Sequence, residues 1–205
     1  METGKIIAVV GGPRSGKSFL VKKLAKEFNA ELFLEGEEHD FPERIIENIR
    51  NNTRPLERIV WFRNMLVRKY LEALKLKDQG KNVVLDGFWL TPQLYIDVLL
   101  EGFENELAHG LGEVDAELLG WPDLIVFLKT SEEGIRNFVG LGGRSFDQSE
   151  EVLVDQLLPL NAINEKFFAK PMDGMKLLTI DRTVKDFDQE KDFSELVSKI
   201  KEALI

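Results

Sequence analysis

Continuous apolar runs alternate with segments of helical periodicity along this chain. The runs are IIAVV within residues 5–10, ELFLE at 31–35, VVLD at 83–86, LIVFL at 124–128 and KLLTI at 176–180. Strands that are apolar throughout, rather than at every second position, are buried on both faces, which is typical of parallel sheets covered by helices. The pattern therefore predicts an α/β fold of three layers, with a five-stranded parallel sheet in the middle and helices on both faces.

Between these runs, apolar residues recur at three- and four-residue spacing. The helices that this spacing predicts cover 16–28, 56–78, about 92–108, 131–139, 150–168 and 193–204. Because proline lacks a backbone N–H, the helix at 150–168 is expected to be kinked or split near Pro159. A length of 205 residues suits one hydrophobic core, so we predict a single domain over residues 1–205.

Composition and charge restrict the classes of function. The chain has no cysteine, which excludes disulfides, thiolate metal ligands and cysteine catalysis and fits a reducing, cytoplasmic location. The net charge of −9 argues against a nucleic-acid partner, because nucleic-acid binding needs a basic surface. The start of the chain lacks the pattern of a secretory signal and the apolar runs are too short to span a bilayer, so no membrane partner is expected.

The stretch GGPRSGKS follows the first predicted strand and opens the first predicted helix. It matches the G-x-x-x-x-G-K-[ST] pattern of phosphate-binding loops in full, in the strand-to-helix context that such a loop requires. The motif therefore specifies the predicted three-layer α/β fold as a P-loop NTPase fold. Glycines let backbone amides turn inward toward phosphate oxygens, Lys17 can reach the outer phosphates, and the Ser18 hydroxyl suits Mg²⁺. The predicted cofactors are ATP and Mg²⁺, held by Gly11, Gly12, Pro13, Arg14, Ser15, Gly16, Lys17 and Ser18.

Holding a nucleotide does not by itself define an activity. A GTPase needs a base-reading N-K-x-D motif, which this chain lacks, and a motor usually has an apolar strand that ends in Asp-Glu, whereas VVLDG ends in Asp86 and Gly87. A small kinase needs only a loop for the donor, a site for the acceptor and a mobile flap. These comparisons favour a kinase among the proteins that use such a loop.

Two acids at predicted strand ends are candidates for the chemistry. Glu35 is either a general base, a residue that contacts Mg²⁺ indirectly through the ligands of the metal, or one more solvated acid in the run that includes Glu37, Glu38 and Asp40. Asp86 either contacts Mg²⁺ through water or is the N-cap of a helix or a turn residue. The residues alone leave both alternatives open.

Beyond the glycine loop, the chain resembles the deoxynucleoside kinases, which are relatives of the thymidylate kinases. The segments that carry the resemblance are LFLEGEEHD at 32–40, WFRNMLVRKYLEALKLKDQGKNVVLD at 61–86, PDLIVFLKTSEEGIRNF at 122–138, GGRSFDQSEE at 142–151 and the ending at 177–204. The resemblance implies phosphoryl transfer from ATP to a nucleoside or nucleotide, with Glu35 as general base. It also implies a lid at about 141–148 in which Arg144, together with Lys17, stabilises the transferred phosphoryl group. The acceptor is expected beside Glu35, Trp61, Arg68 and Asp86, and the metal on Ser18 and Asp86.

The chain departs from the family at three places. The Asp/Glu-Arg-Ser triplet of the family reads Asp86-Gly87-Phe88, the base-pairing glutamine seven residues before Arg68 is replaced by Trp61, and the lid keeps only Arg144. Arginines stabilise the charge on a transferred phosphoryl group, so their loss affects either the substrate or the activity. The alternatives are therefore a degenerate kinase fold that binds nucleotide as a regulatory or structural protein, and a small-molecule kinase with a non-nucleoside acceptor.

The predicted helices at 56–78 and about 92–108 are apolar on more than one face. Two such helices could pair across a two-fold axis, which predicts a homodimer. The alternative is that both helices are buried against the sheet.

Overall fold

The structure is a computed structural model that describes residues 3–36, 40–140, 149–170 and 172–205. Its strands are β1 (Ile6–Gly11), β2 (Glu31–Phe33), β3 (Val83–Asp86), β4 (Leu124–Lys129) and β5 (Leu177–Asp181). Its helices are α1 (Lys17–Glu27), α2 (Glu43–Arg50), α3 (Pro55–Asp78), α4 (Ile96–Leu99), α5 (Gly102–Leu119), α6 (Glu132–Gly140), α7 (Glu150–Phe168) and α8 (Glu190–Ala203), and a 3₁₀ helix spans Thr91–Tyr95.

The strands form one parallel sheet in the order β2-β3-β1-β4-β5. β1 lies in the centre, where Val9 is in register with Asp86 of β3 on one side and with Val126 of β4 on the other. The carboxyl ends of parallel strands meet at one edge of a sheet. The register therefore brings the glycine loop after β1 beside the end of β3.

Alternate residues of the strands pack into two separate cores. Ile6, Ala8 and Val10 face the side covered by α3 and α7, and Ile7 and Val9 face the side covered by α1 and α8. All five side chains are buried. The predicted three-layer fold and its five-stranded parallel sheet are confirmed.

The largest error in the predicted elements lies between residues 92 and 119. The predicted single helix at 92–108 is wrong, because the 3₁₀ helix and α4 come first and α5 then runs further than expected, to Leu119. The backbone is extended at Leu100 and Glu101, where the buried side chain of Leu100 packs against Ile59 and Ile96. Packing of Leu100 into this small core thus interrupts the helical periodicity.

Three smaller differences affect other elements. α2 was not predicted, and β2 ends at Phe33 rather than at residue 35. α7 is not split at Pro159, because the helix continues through it, with buried Leu157 and Asn161 anchoring it before and after the proline. Within the described parts of the chain, no helix combines the length and the hydropathy that a membrane crossing requires.

Candidate active site

The glycine loop has the backbone conformation that its motif requires. It connects β1 to α1, and the φ angles of Gly11 and Gly16 are 155° and 83°, a region in which a side chain is strained. Gly16 is the N-cap of α1, so the free N–H groups of the first helical turn, starting at Lys17, face the loop. A helix N-terminus behind a glycine loop is a strong anion-binding arrangement.

The ammonium group of Lys17 lies across the loop. Its Nζ atom donates to the backbone oxygens of Gly11 at 3.2 Å and of Gly12 at 3.0 Å. Because the lysine side chain is flexible, its ammonium group can exchange both contacts for a phosphate oxygen, which attracts an ammonium more strongly than a neutral carbonyl does. The Lys17 ammonium therefore lies within the glycine loop, and its contact with phosphates stays a prediction.

Ser18 and Asp86 form the contact that joins β3 to the glycine loop. The Ser18 hydroxyl donates to Oδ2 of Asp86 at 2.6 Å, across 68 positions of sequence. Asp86 is 2% exposed, and its Oδ1 atom has no hydrogen-bond partner within the described residues. A buried carboxylate oxygen without a donor, next to a hydroxyl, fits Mg²⁺, which commonly binds one or two protein oxygens together with substrate phosphates.

The residues after Asp86 do not enter the site as the family triplet would. Gly87 adopts a φ of 75° and has no side chain, while Phe88 and Trp89 are both 1% exposed and pack into the main core. The Trp89 indole N–H donates to the Gly120 carbonyl at 2.9 Å. Trp89 is thus a core residue and not a stacking surface for a base.

Glu35 follows β2 by two residues, and Lys69 of α3 fixes the backbone at that point. The Lys69 ammonium donates to the carbonyl oxygens of Leu34 at 2.5 Å and of Glu35 at 3.0 Å. Burial lowers the pKa of Lys69, and the Glu35 carboxylate partly offsets that effect. Lys69 therefore positions Glu35 through its backbone, a role that the sequence did not reveal.

A cavity of about 810 Å³ is lined by both the glycine loop and Glu35, whereas Asp86 does not line it. Glycine-loop residues including Lys17 and Ser18 form one wall, and Glu35, Tyr95 and Arg58 contribute polar groups from other elements. Apolar side chains complete the lining: Ile49, Ile59, Phe62, Val98, Leu99, Phe138, Leu153 and Leu157. An apolar cavity with a few convergent polar groups at the carboxyl edge of a parallel sheet is the usual form of a substrate site.

The cavity does not include every predicted site residue. Trp61 packs edge-to-face against Phe41 and Phe62 with centroid distances of 5.1 and 5.0 Å, and Arg68 is exposed; neither lines the cavity. Their assignment to the acceptor site stays a prediction. Arg144 and the predicted lid at 141–148 lie outside the described residues.

Two polar residues of the cavity were missed by the sequence analysis. The Tyr95 hydroxyl accepts a hydrogen bond from the Asn164 amide at 3.1 Å, and burial raises the Tyr95 pKa well above its usual range. Arg58 donates through Nη2 to Asn52 at 3.1 Å, and burial lowers its pKa. Nothing in the local pattern marks these residues, because each depends on how α3, α7 and the 3₁₀ helix meet.

Arg182 lies on the outer side of the glycine loop, just after β5. Its guanidinium group is 4.6 Å from the ring centroid of Phe138 and 5.1 Å from that of Phe187, and its Nη1 atom donates to the Lys185 carbonyl. A side chain on Gly16 would meet its Nε atom at 3.4 Å. Arg182 thus forms a planar, cationic surface beside the start of α1.

A second cleft, of about 940 Å³, lies at the amino ends of β2 and β3. Lys22, Phe28 and Asn82 contribute to its lining, and none of the predicted site residues does. Ligands of open parallel sheets bind at the carboxyl edge instead. The smaller cavity at the glycine loop is therefore the candidate active site.

A comparison with protein families identifies the chain. The model of the family described as AAA domain, which is a P-loop domain, matches residues 6–158. The chain belongs to this family. The match includes the whole glycine loop, so the P-loop assignment made from the sequence is confirmed. No curated protein matches the sequence of this AAA-domain protein.

Solved structures show which member of the P-loop class the fold is similar to. One is deoxyadenosine kinase from M. mycoides with the products dCMP and a flexible dCDP, at a TM-score of 0.74 and 16% identity, covering 96% of this chain and 99% of that chain. The same kinase with bound dATP and with bound dCTP gives a TM-score of 0.71 in each case, at the same identity and coverage. The resemblance of this AAA-domain protein to deoxynucleoside kinases is thus confirmed for the fold.

Proposed function

We propose that this chain transfers the γ-phosphoryl group of ATP to a small acceptor, most specifically a nucleoside or nucleotide. The observation that carries the proposal is the cavity that the glycine loop and Glu35 line together, in which the lining residue Ser18 donates in turn to Asp86. A similarity to deoxyadenosine kinases, whose structures contain dATP and dCTP, supports the nucleotide class. We place the activity in the cytoplasm, which the lack of cysteine supports.

The glycine loop holds the triphosphate in this proposal. Its amides and the N-terminus of α1 bind the phosphate oxygens, and Lys17 moves from the loop carbonyls to the outer phosphates. Ser18 and Asp86 would hold Mg²⁺, for which the buried Oδ1 atom of Asp86 offers a second oxygen. When bound, Mg²⁺ neutralises charge on the phosphates and orients them for in-line transfer.

Glu35 is the proposed general base, and Arg144 the proposed lid residue. The Lys69 contacts keep the Glu35 backbone in one place, and the side chain faces the cavity near Lys17. A carboxylate there can accept the proton of an acceptor hydroxyl as the bond to phosphorus forms. Arg144 would stabilise the negative charge that spreads over the transferred phosphoryl group.

The test is ATP-dependent phosphorylation of a panel of nucleosides, nucleotides and sugars by the wild type and three variants. Glu35→Gln should lower kcat about 10²–10⁴-fold with little change in ATP affinity, because the amide cannot accept the proton. Lys17→Ala should weaken Mg-ATP binding in titration calorimetry, and Arg144→Ala should lower turnover. Glu47→Gln, at an exposed position of α2 outside the cavity, is the matched control.

Two outcomes would redirect the proposal. Turnover of Glu35→Gln at the wild-type rate would remove Glu35 as the base. Tight binding of Mg-ATP by the wild type without phosphorylation of any panel member would favour the degenerate kinase fold, a regulatory or structural protein that binds nucleotide.

We also propose that the chain forms a homodimer through α5. Four apolar residues recur on this helix at four- and seven-residue spacing and face solvent: Phe103 (76% exposed), Leu107, Val114 and Leu118 (74% exposed). Such a stripe is suited to pairing with a second helix. Light scattering at micromolar concentration should give twice the mass of the chain, and Leu118→Glu should give the monomer mass. A monomer mass for the wild type would rule the dimer out.

A further inference from the structure

Arg58 of α3 faces the cavity with a guanidinium group that has no carboxylate partner within the described residues. Its Nη2 atom donates to the Asn52 amide oxygen at 3.1 Å. Its Nε atom is shielded from solvent and has no hydrogen-bond partner in the described parts of the chain. A charged N–H group that is shielded from water and makes no hydrogen bond is energetically unfavourable. The site is therefore suited to a ligand that brings its own hydrogen-bond acceptor.

Neighbouring arginines differ from Arg58 in this respect. Arg44 and Arg54 both approach Glu57, at 2.7 and 3.8 Å, and Arg63 forms a pair of hydrogen bonds with Asp115 at 2.7 and 2.5 Å. Each of these three arginines thus approaches an acid of the protein, with Arg44 and Arg54 sharing Glu57. Arg58 is held in place by a neutral amide instead, which fixes its position and leaves its charge uncompensated.

The other charges of the cavity lead to the same conclusion. Lys17 and Arg14 belong to the glycine loop and face the triphosphate, whereas Arg58 belongs to the wall formed with Asn52 and Ile59 at the α2–α3 corner. Among the described residues that line the cavity, Glu35 is the one acid, which leaves the lining with an excess of positive charge. Burial also lowers the Arg58 pKa, which agrees with a guanidinium that is partly shielded from water.

We infer that Arg58 binds an anionic group of the acceptor, so that the acceptor is a molecule that already carries a phosphate or a carboxylate. This inference rests on the proposed kinase function and defines its acceptor more closely. A neutral nucleoside would leave the Arg58 charge unpaired in an apolar cavity, whereas a phosphate or carboxylate can accept from both Nε and a terminal nitrogen. The transfer itself breaks the bond between the γ-phosphorus and the bridging oxygen of ATP, forms the bond to the acceptor oxygen and releases ADP, with any hydroxyl proton passing to Glu35.

The experiment compares matched pairs of neutral and anionic acceptors with Mg-ATP. The pairs are deoxynucleosides and their 5′-monophosphates, sugars and their phosphates, and hydroxy acids and their amides; the last pair separates a carboxylate from a phosphate. The wild type should use an anionic member with a kcat/KM at least about 10-fold above that of its neutral partner. Arg58→Gln should raise the KM for that acceptor about 10–100-fold and leave the Mg-ATP dissociation constant unchanged.

Two further variants separate charge from structure. Arg58→Lys keeps the charge and should recover part of the preference for the anionic acceptor. The recovery should be smaller if the wild-type arginine binds the anion through two nitrogens than if it binds through one. Arg44→Gln makes the same substitution at an exposed arginine that does not line the cavity, and it should keep the preference. Urea denaturation of each variant establishes that it is folded.

The outcomes distinguish this inference from the proposed function. Equal use of the neutral and anionic partners by the wild type, or a preference that survives in Arg58→Gln, would overturn the inference while the kinase proposal stands. If no acceptor is phosphorylated, the kinase proposal fails. Calorimetry with deoxynucleoside monophosphates then tests whether Arg58 binds an anion. Binding that is lost in Arg58→Gln would then support the anion site, and no binding to the wild type would overturn it.

Discussion

A methyl group at Gly12 tests how closely the glycine loop packs against α7. The Cβ atom of Gly12→Ala would lie 2.6 Å from Oδ1 of Asn161, where ordinary contact begins at 3.4 Å. The Asn161 side chain must therefore give way, by up to 3.4 − 2.6 = 0.8 Å. Gly12 does not have the positive φ of Gly11 and Gly16, so the substitution adds the steric conflict without backbone strain.

The structure indicates what this displacement breaks. The Asn161 amide donates to the Thr130 carbonyl at 2.8 Å, and a shift of 0.8 Å would lengthen that contact to as much as 2.8 + 0.8 = 3.6 Å, beyond a hydrogen bond. Thr130 is 0% exposed, so water cannot replace the lost donor. Leaving a buried acceptor unpaired costs about 1–3 kcal/mol, which for a chain of this size lowers Tm by about 2–12 °C.

The assay is denaturation by urea and by heat of Gly12→Ala, Asn161→Ala and the double variant. If the steric conflict with Asn161 is the cause, Gly12→Ala should change the free energy of unfolding little in the Asn161→Ala background. The effects of the two substitutions would then not be additive. Gly110→Ala is the control, because a Cβ atom there has nothing within 4 Å and alanine in a helix should stabilise by about 0.5–1 kcal/mol. Wild-type stability of Gly12→Ala, or the same cost in both backgrounds, would refute the reasoning.

Three further predictions concern charged groups. Asp86→Asn should lower the affinity for Mg²⁺ in the presence of ATP while leaving metal-free ATP binding nearly unchanged, as measured by calorimetry with and without the metal. Arg63→Gln should destabilise the fold by about 3–5 kcal/mol in urea titrations, because it removes the charged partner of the 3%-exposed Asp115 carboxylate between α3 and α5 and leaves that carboxylate with the 3.5 Å contact from the Gln93 amide. Hydrogen bonding from Lys185 lowers the pKa of Glu195 from 4.5 to about 2, so its contribution to stability is present above 4.5 and is lost as the pH falls toward 2. Between about pH 5 and about pH 3, the urea midpoint should therefore fall less for Glu195→Gln than for the wild type.

The sequence alone determined the sheet and the phosphate-binding loop, because both depend on local patterns. A strand such as β1 shows its burial on both faces as a continuous apolar run, and the glycine loop follows it within a few residues. Local patterns did not predict where α5 begins. The break before that helix arises from the burial of Leu100 against residues far away in sequence, not from a helix-breaking pattern.

The tertiary structure decided which charged residues form the candidate site. Arg58, Arg63 and Arg68 are five residues apart on α3, so successive ones project about 140° apart around the helix. They look alike in sequence, yet Arg58 lines the cavity, Arg63 pairs with Asp115 and Arg68 is exposed. Which of three equivalent arginines lines the cavity depends on the neighbours that the fold places against each side of the helix, and a single helix does not encode those neighbours.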